Sequence, residues 1–175
     1  MGGGRLVEAL DRDGWSVTGI DLSEAMVDLA RRRVPDLSES LLVAPVERLP
    51  FEDGAFDAVT ALGVLEFTED VSLALRELVR VLRTGGTAVV SWPNFGGLYT
   101  AWRRAIVNPL ASAAGRPSPP SPRIRLDQRE FTALLDGSGL QPERTMLLSP
   151  HGTTLGSGVR ARLAAQLVVA ARKRP

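Results

Sequence analysis

The sequence predicts an α/β fold with a doubly wound, mostly parallel sheet, and three observations carry that prediction. Apolar, β-branched runs alternate with amphipathic runs through the first half of the chain, separated only by short turns. One amphipathic run is very regular: Val71, Ala74, Leu75, Leu78, Val79 and Leu82 follow helical spacing and predict a helix from Val71 to Leu82. Finally, the run Trp15 to Ile20 stops on Asp21 and passes at once into a helix start. Doubly wound folds seat their ligands outside the carboxyl ends of the strands, where an acid can accept hydrogen bonds from ribose hydroxyls. Asp is also a preferred helix cap, so Asp21 reads equally as a ligand-binding or a turn residue from this stretch alone.

In chain order, Gly2-Gly3-Gly4 form a turn, and RLVEALDRDG reads as a helix with Leu6 and Leu10 on one face and Gly14 as its stop. Trp15 to Ile20 reads as a buried strand. Ser23 is the expected N-cap of a helix to about Arg33, with Leu22, Met26, Leu29 and Ala30 along one face and Pro35 beyond its end. Ser40 to Ala44 and Phe56 to Leu62 are the next strands, the second preceded by the turn Asp53-Gly54. After the regular helix, Gly85-Gly86 is its stop and Thr87 to Trp92 a fourth strand, closed by Pro93-Asn94.

From Phe95 to Arg125 the text changes. Leu98 to Val107 reads as helical, and GRPSPPSPR excludes helix and central strand by its proline density, which suits a lid, a substrate-facing insertion or a passive loop. Order resumes at Leu126-Asp127 with a helix carrying Phe131, Leu134 and Leu135 and ending at Gly137 and Gly139. Met146 to Ser149 and Ala165 to Ala171 are the last strands. The expectation is a single domain over 1–175 with a variable insertion at about 95–125.

Composition sets the bounds. The chain is 44% apolar and 23% charged with net charge +1, which gives no bulk electrostatic case for nucleic acid or a membrane as partner. Without cysteine there is no disulfide, thiolate metal site or thiol nucleophile. No apolar run approaches the roughly 20 residues of a membrane span, and a cytoplasmic setting is expected.

Taken together, the segments resemble the class I S-adenosylmethionine-dependent methyltransferases of the small single-domain type. The glycine run stands at the family's cofactor loop, GIDLSEAMVDLAR resembles its second strand and helix, and ERLPFEDGAFDAV its loop into the fourth strand. LRELVRVLRTGGTAVVSWPN is similar to the family's next helix and strand, and QREFTALLDGSGLQPE to the helix before a final antiparallel hairpin. The resemblance implies a Rossmann-like sheet, S-adenosyl-L-methionine as cofactor, no metal, and methyl transfer to a small-molecule acceptor by in-line displacement. Such chemistry asks mainly for alignment and exclusion of water.

Carried over residue by residue, Gly2 and Gly4 approach the methionine part of the cofactor and Asp21 takes the ribose hydroxyls. Leu22 and Met26 form a wall beside the adenine, and the Val46 amide meets an adenine nitrogen. Ala61, with Leu62 and Gly63, passes near the methionine part. Two departures stand out. Pro45 occupies the place of an acid that holds the adenine amino group, and the family's central first strand has no counterpart ahead of Gly2. The expectation is a chain truncated at its N-terminus, weak or inactive as it stands.

Other candidates are His151 as a general base toward an acceptor hydroxyl or an idle loop histidine, and Glu66 and Asp70 as acceptor-side groups or solvated loop acids. Trp92, Tyr99 and Trp102 either line an aromatic acceptor site or pack beneath the insertion. Two rival functions remain open at this point: a degenerate, non-catalytic methyltransferase-like domain, and a nicotinamide-dependent oxidoreductase. The latter lacks its third small residue, since Gly4 is followed by Arg5, Leu6 and Val7.

Overall fold

Two sheets form, one of two strands in the order β1-β2 and one of five in the order β3-β4-β7-β5-β6. The computed structural model describes residues 1–95, 97–113, 115, 122–149, 154–155 and 164–175. The chain divides into two units, Met1–Glu52 and Asp53–Pro175.

The first unit runs α1 (Arg5–Arg12), β1 (Gly19–Asp21), α2 (Glu24–Arg33), a 3-10 turn (Pro35–Ser40) and β2 (Leu41–Val43). β1 and β2 pair in parallel, Gly19 with Leu41 and Asp21 with Val43. The strand expected over Trp15 to Ile20 begins only at Gly19, because its partner β2 offers three residues; Trp15 is exposed. The core is Val7, Val27, Ala30, Val34 and Leu41, with Met1, Val17 and Leu37 packed against it. Two expected helix faces are therefore corrected. α1 buries Val7 while Leu6 faces solvent, and α2 buries Val27 and Ala30 while Leu22, Met26 and Leu29 stay exposed. Gly4 explains the close fit: it holds φ 82, and a Cβ there would stand 3.0 Å from the Cα and Cβ of Ala30.

The second unit runs β3 (Phe56–Ala61), a 3-10 turn (Leu65–Phe67), α3 (Val71–Val81) and β4 (Leu82–Pro93). A helical stretch follows as α4 (Leu98–Trp102), a π-helical turn (Arg103–Val107) and α5 (Asn108–Ala113). Then come α6 (Gln128–Gly137), β5 (Leu140–Leu148), β6 (Thr154–Leu155) and β7 (Gln166–Lys173). β3 and β4 are parallel; β4–β7, β7–β5 and β5–β6 are antiparallel. The mixed sheet thus joins a parallel part to the expected antiparallel C-terminal hairpin. α3 starts where expected and ends one residue earlier, with Leu82 passing into β4; it buries Val71, Ala74, Leu75, Leu78 and Val81, while expected Val79 is half-buried. Its N-terminus is capped by Asp70, which accepts from the amides of Ser72 and Leu73. At its other end the Lys173 ammonium donates to the carbonyls of Val79 and Leu82, at 2.8 and 2.7 Å, a favourable place for a cation.

Two strands start earlier than the sequence pattern suggests. β4 begins at Leu82 and runs through Gly85-Gly86. A Cβ on Gly86 would lie 2.9 Å from the carbonyl oxygens of Arg83 and Asp57, a close backbone approach that only glycine permits. β5 begins at Leu140 and carries Pro142, paired with Ala171, beside a register shift before Arg144, a place where strands tolerate proline. Among the described residues no helix is long and apolar enough to cross a membrane, and no three His, Cys, Asp or Glu gather to hold a metal.

Candidate functional site

In the first unit the ordered polar feature lies at the carboxyl end of β1. Asp21 Oδ2 accepts from the Gly2 amide at 2.8 Å and from the Met1 ammonium at 3.3 Å, while Oδ1 accepts from the Ser23 amide at 3.0 Å. The turn and ligand readings of Asp21 therefore coexist: one oxygen fixes the entry to α2 and the other fixes the glycine turn. Burial pushes the Asp21 carboxyl up, but the amides of Ser23 and Gly2 and the neighbouring ammonium outweigh it and hold its pKa below the ordinary carboxylate range. At neutral pH it is an anion.

The glycine turn is held from a second side. Arg33 at the end of α2 donates through Nε to the Gly3 carbonyl at 2.8 Å and pairs with Glu8 at 3.2 Å. Gly2 has φ 57 and nothing within 4 Å of where a Cβ would sit, so its turn borders open space. Leu22 and Met26 next to Asp21 are 74% and 42% exposed, so their apolar surface lies open beside the carboxylate. Pro45 is exposed and Val46 half-buried beyond β2, where the Ala44 amide continues the pairing by donating to the Asp21 carbonyl at 3.1 Å. The structure thus joins Gly2 directly to Asp21 and gives Gly4 a packing task against α2.

In the second unit Ala61 ends β3 and is buried, while Leu62 and Gly63 are exposed. The Gly63 amide donates to Ser91 Oγ at 2.8 Å, and Gln166 Nε2 donates to the same oxygen at 2.7 Å. Buried Ser91 thus pins the turn after β3 to β4 and β7, a link between residues too far apart in sequence for local pattern to reveal.

Glu66 overturns the picture of a solvated loop acid. Its side chain is 4% exposed and its Oε2 has no hydrogen-bond partner among the described residues. Burial pushes its pKa above the ordinary glutamate value. The segment 122–126 is tied to the backbone of Glu66. The Arg123 and Ile124 amides donate to the Glu66 carbonyl at 2.9 and 3.3 Å, Arg123 pairs with Glu69 at 2.9 Å, and Trp92 Nε1 donates to the Leu126 carbonyl at 2.9 Å. Trp92 is fully buried and stacks on Phe131 with ring centroids 4.7 Å apart, so it belongs to the packing beneath the insertion. Trp102 is exposed, Asp70 is a helix cap, and His151 lies outside the described residues.

This architecture is that of a known class. A S-adenosylmethionine-dependent methyltransferase from Methanosarcina mazei superposes with a TM-score of 0.74 over 99% of this chain and 89% of that one, at 20% identity, so the fold is Rossmann-like. The family described as "Methyltransferase domain" matches residues 1–90, and the chain belongs to it, within the class I S-adenosylmethionine-dependent methyltransferases. S-adenosylmethionine is that family's cofactor, which removes the nicotinamide alternative. Among curated relatives, the demethylmenaquinone methyltransferase of Beutenbergia cavernae is 38% identical over 107 residues, covering 58% of this chain and 44% of that protein. The demethylmenaquinone methyltransferase of Mycolicibacterium gilvum is 34% identical over 146 residues, covering 76% of this chain and 61% of that protein. The chain spans about half the length of these relatives.

Proposed function

We propose that this chain binds S-adenosylmethionine at the carboxyl end of β1 and serves methyl transfer to a small quinone-type acceptor. The carrying observation is Asp21, an anionic carboxylate at a strand end tied to a glycine turn by the Gly2 amide. A carboxylate has about four acceptor positions, and the chain's own donors take three of those on Asp21, whose side chain keeps 21% exposure. Acceptor capacity thus remains for a ribose hydroxyl. Exposed Leu22 and Met26 suit the flat apolar face of a base, and the open side of Gly2 admits a ligand close to the backbone. Pro45 has no side-chain acceptor for an exocyclic amine, so base recognition rests on the Val46 backbone and on apolar contact.

The sulfonium supplies a methyl group with its leaving group already in place. The chain's part is to hold the nucleoside end so that the displacement is aligned, and to keep water away. The quinone-type acceptor is supported by the demethylmenaquinone methyltransferases among the relatives. A cysteine-free composition suits a reducing, cytoplasmic setting.

Calorimetric titration with S-adenosylhomocysteine tests the cofactor half. Charge-assisted hydrogen bonds of about 1.5–3 kcal/mol translate to a loss of roughly tenfold or more in Asp21→Ala. Equal affinity in parent and variant overturns the assignment of Asp21, and no binding by either favours the degenerate, non-catalytic reading. Transfer of labelled methyl to demethylmenaquinol tests the acceptor half; retained cofactor binding with no transfer overturns that half alone.

A further inference from the structure

The net charge of +1 conceals a segregated distribution. Between residues 95 and 126 lie Arg103, Arg104, Arg116, Arg123 and Arg125 and no Asp or Glu, so this stretch carries +5 and the rest of the chain −4. Arg123 is paired with Glu69.

The helical stretch inside it stands in solvent. Of the residues between 101 and 113 whose burial is described, only Val107 and Asn108 are half-buried and the others are exposed. Yet Trp102, Ile106 and Leu110 are 51%, 48% and 66% exposed, and they recur every fourth residue. Pro109 lacks the amide that would bond the Ala105 carbonyl, and its ring crowds that oxygen, which accounts for the wider π-helical turn just before it. In a helix that widens in this way, residues four apart stay stacked along one face. The result is a line of three large apolar side chains in water, one of them tryptophan, in a stretch containing arginines but no acid.

We propose that this helical face is a docking surface for an anionic lipid bilayer. The geometry suits an interfacial helix lying in the membrane plane, with apolar side chains among the acyl chains and arginines at the headgroups. Tryptophan is enriched at that depth because its ring is apolar and its N–H is polar. An anionic leaflet attracts arginines close to its surface, so the charge and the apolar line act together. A second copy of the chain is disfavoured as occupant, since matching faces would bring exposed Arg103 of each copy together, and the stretch 95–126 has no acid to offset it. The inference is independent of the methyl acceptor, and the bulk charge that argues against a membrane partner does so only as an average.

Co-sedimentation of the 175-residue chain with vesicles tests it. Binding is expected to phosphatidylcholine vesicles containing phosphatidylglycerol, to weaken in high salt, and to be slight with phosphatidylcholine alone. The Ile106→Ser/Leu110→Ser variant should bind about tenfold or more weakly, and Arg103→Glu should weaken binding and flatten its salt dependence. Both sites are exposed, so unchanged circular dichroism and melting confirm that the variants fold. The proposal is overturned by no vesicle binding, or by binding that Ile106→Ser/Leu110→Ser leaves intact. It is also overturned by a dimer in light scattering that this double variant dissolves, which would make a second copy the occupant.

Discussion

The amide of Gly2 and the carboxylate of Asp21 are joined by a 2.8 Å hydrogen bond, so the glycine turn and the strand end form one unit. Because the folded-state pKa of Asp21 is depressed, its stabilising contribution is present above the unfolded value of about 3.9 and is lost as pH falls through the lower folded value. Asp21→Asn turns an NH2 group toward one of the amides that the carboxylate served. It should cost roughly 1–3 kcal/mol at neutral pH, and urea denaturation should show the gap to the parent narrowing in acid. A gap that is constant down to strong acid contradicts the ionised Asp21.

Glu66 should behave in the opposite sense. Its folded pKa is raised, so its charged form opposes folding, and stability falls as pH rises from the unfolded value through the folded one. Glu66→Gln removes the charge while keeping the shape. The variant should equal or exceed the parent by about 1 kcal/mol at neutral pH, with the advantage vanishing in acid. A variant less stable at every pH would point to a partner for the carboxylate.

Two glycines of one turn should respond differently to alanine. Gly2→Ala meets only left-handed backbone strain, about 1–2 kcal/mol. Gly4→Ala adds a collision with the Ala30 backbone 3.0 Å away and should cost roughly 2–4 kcal/mol. Thermal melts of the two variants rank them.

Trp92 helps hold the segment 122–126. Trp92→Phe keeps a ring against Phe131 but loses the donor to the Leu126 carbonyl. Limited proteolysis should then cut within 122–126 sooner, with a loss of about 1–2 kcal/mol in overall stability. An unchanged cleavage pattern shows that the amides of Arg123 and Ile124 suffice to hold the segment.

Local pattern was most readable where one face of an element is buried and the other is wet. α3 buries Val71, Ala74, Leu75 and Leu78 of its expected face, and Leu126-Asp127 marks a helix start that the structure completes with a capping box to Glu130; Asp70, whose side chain caps α3, was not legible as a cap. Elsewhere the deciding contacts are distant in sequence. Gly85-Gly86 resemble a helix stop and lie within β4, and Leu22 and Met26 share a face expected to pack yet are exposed. Asp21 was visible as a candidate because strand ends are where such acids matter. The setting of Glu66 was not, because the residues bonded to its carbonyl, Arg123 and Ile124, lie far along the chain.

The ladder between β1 and β2 has only three residue pairs. So short a parallel pair protects few amides and opens at low free energy, whereas β4 and β7 share seven paired positions. Deuterium should therefore enter Gly19 to Asp21 well before the paired amides of β4. A ligand that seats on Asp21 binds only the closed ladder, so it slows that exchange in proportion to its occupancy. The rate at which one strand end trades its protons becomes a gauge of cofactor binding that requires no turnover.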